Sequence, residues 1–117
     1  MTNTRNYLET LEDIIQRDPR YKIDAYNFVL EALNYTVTKL EKPRHVSGKE
    51  LLEGVKQYLK EQFGPMARTV IEHWGIKSTE DIGHIVFNLV DAKILSKTEQ
   101  DSLDDFKNAF DISEIFS

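Results

Sequence analysis

Ser47-Gly48-Lys49-Glu50-Leu51-Leu52-Glu53-Gly54-Val55-Lys56-Gln57-Tyr58-Leu59-Lys60-Glu61-Gln62-Phe63-Gly64-Pro65 reads as one complete helix, with a start, an apolar face and a stop. The Ser47 hydroxyl can accept from a free backbone N–H of the first turn. Glu50, three residues on, can return its carboxylate to the serine's own N–H. Leu51, Leu52, Val55, Tyr58, Leu59 and Phe63 fall on one face at helical spacing. Gly64 can take a left-handed closing conformation, and Pro65 suits the first position of a following helix. Ser78-Thr79-Glu80-Asp81 and Ser96-Lys97-Thr98-Glu99 repeat the hydroxyl-to-carboxylate spacing, and Gly75-Ile76 marks another stop. Such punctuation predicts an all-α chain: a compact, orthogonal bundle of five to six short helices.

Working outward, a first helix is expected from about Arg5 to Gln16, with Tyr7, Leu8, Leu11, Ile14 and Ile15 on its apolar side. Asp18-Pro19 stops it, because the residue before proline is pushed out of the α region. A second helix spans about Ile23 to Leu40. Ile23, Tyr26, Leu30, Leu33, Val37 and Leu40 form its stripe, and Phe28, Val29 and Ala32 widen it toward burial on two sides. After the helix that starts at Ser47, a fourth carries Met66, Ala67, Val70, Ile71 and Trp74, closed by Gly75 with Ile76 set against Ile71. A fifth runs from Thr79 to about Ala92 through Ile82, Ile85, Val86, Leu89 and Val90. A last helix is expected from Thr98, carrying Leu103, Phe106 and Phe110, with one further turn at Asp111-Ile112-Ser113-Glu114.

The 117 residues make a single domain, long enough to bury a core without staples. With no cysteine there is no disulfide, thiol nucleophile or cysteine-based zinc site. Met1-Thr2-Asn3-Thr4-Arg5 leads into an amphipathic stretch with no apolar signal segment. No run reaches the roughly 18 consecutive apolar residues of a membrane span. The expectation is a cytoplasmic protein without membrane contact. Charge is uneven. Residues 1–60 hold ten Lys/Arg against nine Asp/Glu, and residues 61–117 hold five against eleven, for a net of −5. The acidic half repels phosphate backbones, so nucleic acid is not the expected partner.

Several motifs together resemble a bacterial protein family known by a genome locus tag. They are Arg44-His45-Val46-Ser47-Gly48, Glu50-Leu51-Leu52-Glu53-Gly54, Gln62-Phe63-Gly64-Pro65-Met66-Ala67-Arg68 and Glu72-His73-Trp74-Gly75. The likeness continues through Ser78-Thr79-Glu80-Asp81 and Ile85-Val86-Phe87-Asn88-Leu89-Val90 to Leu95-Ser96-Lys97-Thr98-Glu99. It covers most of the chain from about Asp18. The resemblance implies a small bacterial cytoplasmic helical domain of unknown function, and it transfers no activity, cofactor or catalytic residue.

Three constellations could carry chemistry. Arg44, His45 and Lys49 surround Ser47 and Gly48, where first-turn N–H groups, the positive helix end and the cations could hold phosphate or carboxylate. The glycine spacing of a P-loop is missing. An ordinary capping box with solvated cations explains the same residues, and Glu50 would compete for the same turn. Glu72, His73, Glu80, Asp81 and His84 offer metal donors, but the histidines belong to different helices and no pair has i, i+4 spacing, so no metal is expected. The fourth and fifth helices, joined by Gly75-Ile76-Lys77-Ser78, have the length of a helix-turn-helix. The turn that would meet bases offers Ser78, Thr79, Glu80 and Asp81, the wrong donors for phosphates and base edges. The surplus of Phe106, Phe110 and Phe116 among Asp104, Asp105 and Asp111 suits docking on the domain or on a partner.

No catalytic constellation, and no cofactor motif, emerges from this reading. The leading expectation is a non-enzymatic protein-interaction or regulatory module, with a second copy of the chain among its candidate partners. The alternative is a binder of a small anion or nucleotide through Arg44, His45, Ser47, Gly48 and Lys49. A winged-helix-like nucleic-acid binder ranks third.

Overall fold

The computed structural model describes residues 7–42, 44 and 46–95. Five α-helices occur there: α1 (Tyr7–Arg17), α2 (Ile23–Thr38), α3 (Gly48–Phe63), α4 (Ala67–His73) and α5 (Thr79–Asp91). A 3₁₀ turn, Gly64–Met66, joins α3 to α4 without a gap. Counted as uninterrupted helical runs the described chain therefore has four, because the expected third and fourth helices are continuous. No strand occurs among the described residues, and the all-α class holds. The expected helix from Thr98, the start at Ser96, the turn at Asp111, and Phe106, Phe110 and Phe116 lie outside the described residues, as does His45.

The helix ends follow their local chemistry. Ser47 N-caps α3 with a complete reciprocal box. Gly64 has φ +50 and ψ −128, a positive φ away from the left-handed helical basin that α3's stop was expected to use. Pro65 falls in the first turn of the 3₁₀ segment. At the end of α4 the Ile76 N–H donates to the Ile71 carbonyl at 3.0 Å, and the Gly75 N–H to that of Glu72 at 3.1 Å. This is the Schellman closure, with Gly75 at φ +93 and with Ile71 and Ile76 both buried.

α2 is the central element, touching α1, α3 and α5. Its most buried face differs from the expected stripe. Ala25, Tyr26, Phe28, Val29 and Ala32 are buried, whereas Ile23, Leu30, Leu33, Val37 and Leu40 are only half-buried. With neighbours on several sides, the residues that merely widened the stripe became the core. Leu8 and Met66, expected on apolar faces, are exposed. α3 crosses α2 closely, and a Cβ built on Gly54 would overlap the Thr36 side chain. Leu11 and Ile14 of α1, Leu52, Val55 and Leu59 of α3, Ile71 of α4, and Ile82, Ile85 and Leu89 of α5 complete one core. Among the described residues no helix is long and apolar enough to cross a membrane.

Candidate functional site

At the start of α3 an anionic group is already in place. The Glu50 N–H donates to Ser47 Oγ at 3.1 Å, and the Ser47 N–H donates to Glu50 Oε1 at 2.9 Å. Arg44 grips the same carboxylate with both guanidinium arms, at 3.0 and 2.7 Å. This fork geometry is the strong form of carboxylate recognition. The Arg44 guanidinium, followed by the Ser47 N–H, lowers the Glu50 carboxyl to about 2. Gly48 is buried, so the open approach expected at that glycine is closed, while Ser47 and Lys49 are exposed. The structure thus brings Arg44, Ser47 and Glu50 together and leaves Lys49 pointing into solvent. The chain's own Glu50 carboxylate engages the Arg44 guanidinium that the expected anion site relied on.

The first turn of α5 is likewise engaged. Asp81 accepts from the N–H groups of Lys77 (2.7 Å) and Ser78 (3.1 Å), and from the Tyr21 hydroxyl at 2.6 Å. Burial, then Asp81, push the Tyr21 hydroxyl well above the usual tyrosine range. The loop between α1 and α2 covers this corner: the Lys22 N–H donates to the Trp74 carbonyl at 3.1 Å. Thr79 is 2% exposed. A recognition helix must offer its N-terminal turn to a groove; here that turn faces the α1–α2 corner. Asp18 extends the same network, held by Arg20 at 2.7 and 2.6 Å and by the Asn88 amide at 2.9 Å. His73 is exposed and His84 half-buried, and no three metal-donor side chains converge among the described residues.

A shaped, open surface lies along α2 and α3, and sequence reasoning did not single it out. The Tyr35 and Tyr58 rings meet at a tilt of 42°, with centroids 4.9 Å apart. Tyr58 contacts Phe28 at 5.3 Å, and Phe28 contacts the buried Trp74 at 5.3 Å. An aromatic row therefore runs from the surface into the core and holds the outer tyrosines in place. Each hydroxyl is tied across the helix pair, Tyr35 to Glu61 and Tyr58 to Glu31. The Lys39 ammonium lies 4.5 Å from the centre of the Tyr35 ring. Tyr35 lines two open grooves. One, of about 620 Å³, includes Asn27, Leu30, Asn34, Thr38 and Tyr58. The other, of about 400 Å³, includes Leu40, Lys49, Glu53, Gly54 and Gln57. The available signal was Tyr35, an aromatic residue outside the apolar stripe of its helix.

Compared with models of known families, with curated proteins and with solved structures, the chain matches none.

Proposed function

We propose that the chain is a non-enzymatic interaction module that engages a protein through the α2–α3 face. The observation that carries this reading is the pair of half-buried tyrosines in ring contact beside two open grooves. Tyrosine gives a large contact area with little rotamer freedom to lose, which is why it is enriched at interfaces. The aromatic row behind the pair limits its freedom before any partner arrives, so less ordering cost remains for binding. The surrounding Asn27, Asn34, Gln57, Lys39 and Glu53 supply a polar rim. A bacterial cytoplasm is the compartment we propose, in keeping with a cysteine-free chain.

The test is site-directed photo-crosslinking in the native cytoplasm. A crosslinking residue at Asn34 should trap a discrete protein band, and the same residue at the exposed Glu72 of α4 should not. Equal trapping at both positions, or none at Asn34, would refute the assignment of this face.

A further inference from the structure

We infer that the protein the α2–α3 face accepts is a second copy of this chain, turned over so that each helix lies antiparallel to its own counterpart. This rests on the interaction reading above and names its partner. The first observation is the register of the helix pair. Gly54 lies against Thr36, and the Tyr58 hydroxyl bonds Glu31, so the level of Tyr35 on α2 faces that of Val55 on α3. About this level each helix carries unlike charges at matched distances, Glu50 and Lys60 of α3 being one such pair, five residues to either side. Along α2 and its C-cap, exposed Lys39 lies four residues toward the connecting loop and exposed Glu31 four residues away from it. On α3, exposed Lys49 lies six residues toward the loop and exposed Glu61 six residues away. At 1.5 Å per residue these are offsets of about 6 and 9 Å on either side of one level.

A surface with that antisymmetry is complementary to itself. A two-fold axis lying in the face and crossing both helices at Tyr35 sets Lys39 opposite Glu31 of the second copy. The same operation sets Lys49 opposite Glu61 and Glu53 opposite Gln57 of the second copy. Such an isologous contact makes every pair twice. A two-fold axis running along the helices instead lays α2 over α3 of the second copy and brings Lys39 near Lys49 and Glu31 near Glu61, a like-charge arrangement that costs association. The grooves beside Tyr35 leave room for the facing tyrosine of the other copy. Two sixteen-residue helices give a face about 24 Å long and roughly 20 Å wide, a footprint below that of stable specific interfaces and in the range of weak associations. The expected dimer is therefore concentration-dependent.

Sedimentation equilibrium from low to high micromolar protein should show the mass rising from 13.6 kDa toward twice that value, with weaker association as salt increases. One variant, Lys39→Glu with Lys49→Glu, sets glutamate against glutamate in both pairs; another, Glu31→Lys with Glu61→Lys, sets lysine against lysine. Each alone should self-associate at least about tenfold more weakly, and an equal mixture should recover association as a mixed pair. Circular dichroism of each variant reports its folding. Should either variant unfold, Tyr35→Cys decides the matter in a chain free of other cysteines. Near the axis it should oxidise to a disulfide-linked dimer, and Glu72→Cys should not under the same conditions. A wild-type chain that stays monomeric throughout, variants that associate as the wild type does, a folded pair whose mixture does not recover, or no Tyr35→Cys dimer would each overturn the proposal. Crosslinking from Asn34 to a different protein by a monomeric chain would overturn this inference and leave the interaction reading intact.

Discussion

Lys93 holds a backbone conformation that ordinarily favours glycine. Its φ is +64, and it closes α5 as Gly75 closes α4: the Lys93 N–H donates to Val90 and the Ile94 N–H to Leu89, both at 2.9 Å. A side chain in this region costs energy because its Cβ crowds the following carbonyl. Lys93→Gly should therefore raise stability by about 0.5–1 kcal/mol, seen as a higher thermal midpoint. The same position in the other closure cannot be exchanged in the opposite direction. At Gly75 a Cβ would meet the backbone carbonyl of Arg20 as well as the strained φ of +93. Gly75→Ala should lose about 1–3 kcal/mol in urea unfolding. No loss there would mean that the α1–α2 loop does not close on this turn.

At the scale of elements, helix ends are tied by charge as much as by shape. Glu50 titrates near 2, against an ordinary value of 4.5, and Arg20 with Asn88 holds Asp18 well below the usual carboxylate range. Both groups ionise more easily in the folded chain than in the unfolded one. Their stabilisation is complete above about pH 4.5 and fades as pH falls toward the folded values. Urea midpoints should drop between pH 5 and about 2, and Glu50→Gln should flatten part of that slope. A side chain of Glu50 that is 39% exposed keeps the effect modest through solvent screening. An unchanged slope would show that the Arg44–Glu50 pair does not persist in solution. Tyr21 joins the α1–α2 corner to α5 by one hydrogen bond to a carboxylate. Tyr21→Phe should cost about 1.5–3 kcal/mol, the range for a hydrogen bond to a charged group. A loss below that range would assign the α5 cap to the Lys77 and Ser78 N–H groups alone.

For the molecule as a whole, charge and coverage point the same way. The chain carries a net −5, and the start of α5 packs on the α1–α2 corner rather than facing outward. Duplex DNA at low ionic strength should therefore leave the protein unshifted in a gel at low micromolar concentration. A complex that dissolves as salt rises, and is lost on changing Lys77 and Lys93, would contradict this expectation.

The helix starts and stops were legible in the sequence because their chemistry is local. A serine with a carboxylate three residues on, or a glycine followed by an isoleucine, works within about one turn and needs no distant neighbour. Ser47 with Glu50, and Gly75 with Ile76, could be read from spacing alone. Burial could not, since it depends on which elements meet. Phe28, Val29 and Ala32 took the centre of α2 because α1, α3 and α5 all pack there, while Leu8 and Met66 found no neighbour to cover them. The candidate anion site was visible as residues. Its occupation by Glu50 required Arg44 to fold back across six positions. Only the tertiary structure decided that Tyr35 meets Tyr58 and that Tyr21 reaches Asp81 sixty residues away. Contacts of that range are chosen by packing between helices, which no local pattern encodes.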